Sequence, residues 1–98
     1  MDIQHLKAFI AVACTKNLTQ AAEKLFLSQP AVSAQIKALE SDVGTALFVR
    51  TNNGMQLTRA GEVLLPEAEA LLQHKHRLEQ FAQTLSADYV HSVQLGII

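Results

Sequence analysis

The sequence lacks the features that mark several large classes of protein. It has a single cysteine, Cys14, which excludes an internal disulfide and is compatible with a reducing cytoplasm. No apolar run approaches the length of a membrane span. We expect no signal peptide, because Asp2 and Gln4 already interrupt the apolar residues near the N-terminus. These absences predict a cytoplasmic protein with no membrane partner, and Cys14, in an apolar helical pattern, is expected to be buried and inert.

The residue patterns of common catalytic and metal sites are also missing. Ser28 and Ser33 have no histidine nearby in the chain, and no glycine-rich phosphate loop is present. His74 and His76 point to different sides of a predicted helix, which makes them poor metal co-ligands. We therefore expect no enzyme activity, no cofactor and no metal site.

Charge is scarce and unevenly distributed along the chain. The formal net charge of −1 does not by itself indicate a nucleic-acid partner. Residues 1–61 hold six basic and four acidic residues, whereas residues 62–98 hold two basic and five acidic ones, so the N-terminal part is weakly positive. With 98 residues, 49% of them hydrophobic, the chain is long enough for one small packed domain and an appendage.

The stretch from Thr19 to Gly44 predicts two short helices joined by a tight turn. Thr19 can cap the first helix, and Ser28 is well placed to cap the second, which has Pro30 in its first turn. Gly44 can end the second helix in the left-handed conformation. The apolar residues of the second helix recur every three or four positions and share one face, which consists of Val32, Ile36, Leu39 and Val43.

The opposite face of the second helix is small, polar and lightly cationic, with no acidic residue before Glu40. Such a face suits a helix that lies in the major groove of DNA with its N-terminal half against the bases. Two amphipathic helices around a turn are also common in proteins whose outer face is only solvated, and this stretch alone leaves both interpretations open. The residues of this face are Gln29, Pro30, Ser33, Ala34 and Lys37.

The segments on either side of the helix pair complete a small domain. Residues 2–14 have the apolar spacing of a helix, which predicts a three-helix cluster. Residues 47–57 predict a β-hairpin, because two short runs of strand formers flank an Asn-Gly turn whose residues tolerate positive φ. A hairpin in this place is a wing, able to reach phosphate or the minor groove, although turn geometry alone explains the asparagines. The wing candidates are Arg50, Thr51, Asn52 and Asn53.

Helical periodicity returns at Thr58 and persists to about Ser86. Apolar residues spaced alternately by four and three positions form a heptad seam, which predicts pairing with a second copy of the chain. Lys75 interrupts this seam, either as a device that sets the register or as a solvated break. The seam consists of Leu64, Ala68, Leu71, Lys75, Leu78, Ala82 and Leu85.

The ordered combination of these motifs resembles the N-terminal DNA-binding region of LysR-type transcriptional regulators. The resemblance covers about residues 1–87. It is carried by residues 6–9, 18–25, the run Leu27-Ser28-Gln29-Pro30-Ala31-Val32-Ser33-Ala34-Gln35-Ile36, residues 39–40, 44, 47–50 and 57–62.

The resemblance implies a mainly α fold, a winged helix-turn-helix made of a three-helix cluster and a β-hairpin wing, followed by a long dimerisation helix. It places a winged helix-turn-helix domain at residues 1–57 and a linker helix at 58–87. Residues 88–98 alternate and then become apolar, so they are interpreted as the start of a missing effector-binding domain.

The resemblance also assigns roles within the DNA-binding set. Gln29, Pro30, Ser33 and Lys37 would face the groove from a recognition helix at about residues 29–43, with Arg50 and Thr51 from the wing at 47–57. The full candidate set adds Thr19, Ala34, Asn52 and Asn53. The sequence departs from the family where Ala34 stands in place of a common arginine and the wing tip carries asparagines, and both changes lower the expected non-specific affinity.

We therefore expect the sequence-specific DNA-binding module of a dimeric transcription regulator. Its expected partners are double-stranded DNA and a second copy of itself, with a tetramer as an alternative in the full-length protein. A small-molecule effector would bind only through the missing domain. The competing hypothesis is a winged-helix module for protein–protein interaction, which the low positive charge permits.

Overall fold

The computed structural model describes residues 1–86, which form four helices and one β-hairpin. This architecture confirms the expected mainly α winged helix-turn-helix followed by a long helix. The predicted strand within residues 88–98 lies outside the described residues. No helix in the described part of the chain is both long and apolar enough to cross a membrane. The elements are α1 (Ile3–Thr15), α2 (Leu18–Leu25), α3 (Gln29–Val43), β1 (Phe48–Thr51), β2 (Gly54–Leu57) and α4 (Arg59–Thr84).

Polar side chains cap the start of each helix, which satisfies backbone N–H groups that have no partner within the helix. The expected cap of α3 is confirmed, because the Ser28 hydroxyl accepts from the Ala31 N–H at 3.2 Å. The expectation that Thr19 caps α2 is wrong. The cap is Asn17, whose Oδ1 accepts from the Gln20 N–H at 2.9 Å. Leu18 is buried and is already helical, so the helix begins before Thr19.

The first three helices end in the left-handed region. Gly44, at φ 88°, ends α3 as expected, and its N–H donates to the Glu40 carbonyl at 2.8 Å. Lys16 and Phe26 adopt the same conformation at φ 58° and 57°, without the steric freedom of glycine. Lys16 and Phe26 therefore set the turns that connect α1, α2 and α3, and Gly44 directs the chain from α3 towards β1.

The core lies where α1 packs against α2, α3 and the first turns of α4. Phe9, Leu6 and Val12 from α1 are fully buried, together with Val32 and Leu39 from α3. The Phe9 and Phe48 rings meet edge to face with centroids 5.5 Å apart, which attaches the hairpin to the helices. The predicted inner face of α3 is therefore confirmed except at its last residue, Val43, which is exposed.

Cys14 is exposed, and the expectation of a buried thiol is wrong. The apolar pattern of α1 extends to this residue, but the buried face of the helix ends at Val12. Two residues further along, a side chain points to the opposite side of an α-helix. Cys14 therefore faces solvent.

The hairpin lies where it is predicted, with Asn52 and Asn53 at its tip. Thr51 pairs with Gly54, and Phe48 pairs with Leu57. Neither asparagine has a positive φ, whereas Gly54 has φ 100°. Both residues of the Asn-Gly pair tolerate positive φ, but only the glycine adopts it.

Candidate nucleic-acid interface

The two sides of α3 differ as the sequence predicts. Val32, Ile36 and Leu39 are buried, whereas the opposite face is open to solvent. On that face Gln29, Pro30, Ala34 and Lys37 are exposed and Ser33 is half-buried. The first three turns carry no acidic residue, so the positive end of the helix dipole is not opposed there.

A cleft separates α3 from the hairpin and brings residues of both elements together. Ser33 and Lys37 line it from α3, and Arg50 lines it from β1. Among the described residues, neither Lys37 nor Arg50 forms a salt bridge, so both cations remain available to an anionic ligand. The other lining residues are Leu18, Ile36, Glu40, Phe48 and Met55.

Glu40 also lines the cleft, and its side chain makes contacts that were not predicted from the sequence. Its Oε2 accepts from the Leu47 N–H at 2.7 Å and lies 3.4 Å from the Phe48 N. The carboxylate in the cleft is therefore bonded to the backbone at the base of the wing. Sequence gave no signal for this contact, because the donors are backbone groups seven and eight residues away.

The wing is also attached to the end of α1. The Met55 N–H donates to the Lys16 carbonyl at 3.0 Å. A side chain on Gly54 would collide with that same carbonyl, so close contact and positive φ both require glycine. From the sequence, Gly54 was predicted only as part of a turn, and the contact at Lys16 was not predicted.

The remaining candidates differ in their surroundings. The Thr51 hydroxyl donates to the Gly54 carbonyl and accepts from the Asn53 N–H, both at 3.1 Å, so it holds the wing turn. Thr19, Asn52 and Asn53 are exposed. None of these four residues, nor Gln29, Pro30 or Ala34, lines the cleft. The structure therefore brings only Ser33, Lys37 and Arg50 together in the cleft.

The predicted seam of α4 divides into two parts. Leu64 is half-buried against the core, and Ala68 is 3% exposed within the core of its own chain. Leu71, Leu78, Ala82 and Leu85 are exposed. Phe81, which was not predicted as part of the seam, is 61% exposed and lies three residues after Leu78. An aromatic residue at that helical spacing is the signal that could have identified it.

Lys75 is half-buried and pairs with the next turn of its own helix. Its ammonium nitrogen lies 2.7 Å from Glu79 Oε2. This hydrogen bond, together with the positive charge of Lys75, holds the pKa of Glu79 below its usual range. The described residues contain no group of three or more His, Cys, Asp or Glu side chains able to hold a metal ion.

Comparison with known proteins gives consistent matches. The family described as bacterial regulatory helix-turn-helix protein, lysR family, matches residues 3–62. The Hca operon transcriptional activator HcaR of Escherichia coli K12 is 38% identical over all of this chain and 36% of its own length. The regulator TfdT of Cupriavidus pinatubonensis is 45% identical over 84% of this chain and 37% of its own length. The chain thus spans about a third of the length of these relatives.

Solved structures include DNA-bound relatives. The crystal structure of the CbnR DNA-binding domain–DNA complex aligns with a TM-score of 0.82 and 37% identity, covering 88% of this chain and 99% of that one. The complex of the BenM DNA-binding domain with catB site 1 DNA aligns with a TM-score of 0.85 and 30% identity, covering 89% and 98%. The fold, its polar helix face and these matches lead to one conclusion: the chain belongs to the lysR family of bacterial regulatory helix-turn-helix proteins.

Proposed function

We propose that this chain is the sequence-specific DNA-binding module of a cytoplasmic, dimeric transcription regulator. The observation that carries the proposal is the pairing of the polar face of α3 with Arg50 of the wing across one cleft. A helix with this face fits the major groove, while the flanking cations meet phosphates. DNA complexes of two relatives with the same fold support this assignment.

Within this proposal, the start of α3 reads bases. Gln29 and Ser33 are one turn apart, and Gln can form paired hydrogen bonds with adenine while Ser can bond a base or a phosphate. Pro30 and Ala34 occupy the same exposed face and are placed against the base edges. Lys37 lies one turn deeper and contributes a phosphate contact.

The wing and α2 supply flanking contacts in this proposal. Arg50 neutralises a phosphate beside the groove that α3 occupies, and Thr51 shapes the wing through its hydroxyl. Asn52 and Asn53 present neutral side chains to the flanking backbone or minor groove. Thr19 is exposed in the first turn of α2, where a hydroxyl suits a phosphate contact.

Two further features suggest partners other than DNA. They are the exposed seam of α4 and the greater length of the relatives. A second copy of the chain pairs along the exposed part of the seam, and two modules then contact two half-sites. We propose that residues 1–57 form the DNA-binding domain, 58–87 the linker helix and 88–98 the beginning of an effector-binding domain. Any small-molecule effector, and any tetramer, belongs to that longer protein.

The test compares Gln29→Ala with Lys37→Ala in fluorescence anisotropy on a selected and a scrambled duplex across a salt series. Gln29→Ala should cost about 1–3 kcal/mol on the selected duplex and relax preference at one base pair. Lys37→Ala should weaken binding to both duplexes alike and reduce the salt slope by about one per protomer, because it removes one phosphate contact.

An unchanged ratio of selected to scrambled affinity in Gln29→Ala would show that α3 does not read bases at this position. Glu69→Gln is the matched control, since this exposed residue lies on α4, away from the polar face. A chain that binds no duplex at low salt would instead favour the protein–protein interaction module, because DNA binding strengthens steeply as salt is removed.

A further inference from the structure

Glu40 occupies an unusual position for an acidic residue in a DNA-binding cleft. It lies in the last turn of α3, where the helix dipole disfavours a negative charge, and it lines the same cleft as Lys37 and Arg50. A free carboxylate there would repel the phosphates that the two cations attract. Its presence is explained by what it holds. Oε2 accepts from the Leu47 N–H at 2.7 Å and lies within 3.4 Å of the Phe48 N.

These contacts connect the two elements of the proposed interface. Lys37 precedes Glu40 by one helical turn on α3, and Arg50 follows Phe48 by two residues on β1. The segment between α3 and β1, residues 44–47, is exposed from Gly44 to Ala46. Thr58 holds this segment to α4, through a hydrogen bond from its hydroxyl to the Ala46 carbonyl at 2.7 Å. Among the described side chains, Glu40 is the one whose hydrogen bonds hold the end of this segment to α3.

We propose that Glu40 is a positioning residue that fixes the wing relative to the recognition helix, so that Arg50 and Lys37 engage the same DNA together. The proposal rests on the proposed function of the cleft. The carboxylate does not contact DNA. Its bonds to two backbone N–H groups disperse its charge and hold the start of β1, and hydrogen bonds of this charge-assisted kind are stronger than neutral ones.

The first test measures whether Arg50 depends on Glu40. Dissociation constants for a selected duplex are compared between the parent chain, Arg50→Ala, Glu40→Ala and the double variant. Arg50→Ala should weaken the parent about five- to tenfold, the size of one charge-assisted contact, and should weaken Glu40→Ala by less than about twofold. Lys37→Ala should change the dissociation constant equally with and without Glu40, because Lys37 lies on α3 and does not depend on the position of the wing. Equal effects of Arg50→Ala in both backgrounds would overturn the proposal.

Two further variants distinguish a positioning role of Glu40 from an effect of its charge or from a loss of folding. Glu40→Gln retains an oxygen that can accept from the Leu47 N–H, so the full effect of Arg50→Ala should return. Asp42→Ala removes the same charge from the same helix, but Asp42 contacts the N-terminal amine at 3.4 Å and not the wing. It should leave the effect of Arg50→Ala intact. If Asp42→Ala abolished that effect as Glu40→Ala does, the coupling would be due to charge alone, and the proposal would be wrong.

The second test uses the full chain without DNA. Hydrogen exchange followed by NMR should show the Leu47 amide exchanging at least about tenfold faster in Glu40→Ala, while core amides of α1 such as Phe9 stay protected. Unchanged protection of Leu47 would overturn the positioning role whatever the DNA results. If Arg50→Ala has no effect even on the parent chain, the wing contact of the proposed function fails, and the exchange experiment still decides the role of Glu40.

Discussion

The backbone carbonyl of Leu47 is a point where several parts of the fold meet. It accepts from the Thr58 N–H at 2.9 Å, and Gly61 of α4 packs directly against it. A Cβ at position 61 would collide with this carbonyl oxygen and with the Leu57 side chain. The absence of a side chain at Gly61 therefore lets α4 approach the base of the wing.

We predict that Gly61→Ala destabilises the chain by about 1–3 kcal/mol. Alanine favours a helix more than glycine does, but here overpacking against a backbone atom outweighs that gain. Thermal and urea unfolding followed by circular dichroism measure the change. Glu69→Ala, an exposed substitution in the same helix, should change stability by less than about 0.5 kcal/mol. Equal stability of Gly61→Ala and the parent would show that α4 can move away from Leu47 without cost.

The site residues show which part of the interface follows from sequence. Helical spacing was enough to place Gln29, Ser33 and Lys37 on the open side of α3, because a helix repeats every 3.6 residues. The hydrogen bonds of the Thr51 hydroxyl within the wing turn could not be predicted from the sequence. It depends on the turn geometry, in which Gly54 rather than Asn53 has positive φ.

At the scale of elements, α4 has two different environments along its length. Its first turns contribute to the core, whereas the later turns carry exposed apolar residues such as Leu78, 57% exposed, and Phe81. Exposed apolar stripes of this kind mark interaction surfaces. Within the proposed function, this part of the helix pairs with a second copy of the chain.

We predict that replacing Leu71 and Leu78 together with aspartate abolishes self-association. Each change would bury an unpaired charge in the apolar contact, which costs several kcal/mol. Analytical ultracentrifugation over a range of concentrations measures the effect. The matched control is Gln73→Asp with Gln80→Asp, which adds the same two charges one heptad apart at exposed positions on the opposite side of the helix. If the Leu71 and Leu78 double variant dimerises as strongly as the parent, the stripe is not the interface.

At the scale of the whole molecule, the winged domain and the long helix share one core. Ala68 is as buried as the residues of α1 and α3, and Leu64 and Leu65 pack partly against them. The proposed boundary after residue 57 is therefore a boundary between functions, and the first turns of α4 belong structurally to the domain that precedes them.

We predict that a chain ending at residue 57 loses about 2–5 kcal/mol of stability, or fails to unfold cooperatively, compared with one ending at residue 72. The shorter chain loses the apolar contacts of Leu64, Leu65 and Ala68 with the core, a large share of the stability of a small domain. Circular dichroism during heating compares the two chains. Identical transitions in both would mean that the three-helix cluster and wing fold without α4.

The sequence alone determined the features that depend on near neighbours. The order of helices and hairpin, the caps at Ser28 and Thr58 and the polar face of α3 all arise from residues within a few positions of one another. Local sequence decides these features because capping and helical periodicity act over one or two turns. The family resemblance rested on the same local motifs.

Tertiary structure alone decided which of these local possibilities were used. Ala68 belongs to the predicted seam of α4, yet it is buried in the core of its own chain. The Glu40 carboxylate accepts a hydrogen bond from the Leu47 N–H at the base of the wing, and the Lys16 carbonyl accepts one from the Met55 N–H of β2. Each outcome depends on how helices pack across the core, and such contacts between distant residues leave no periodic signal in the sequence.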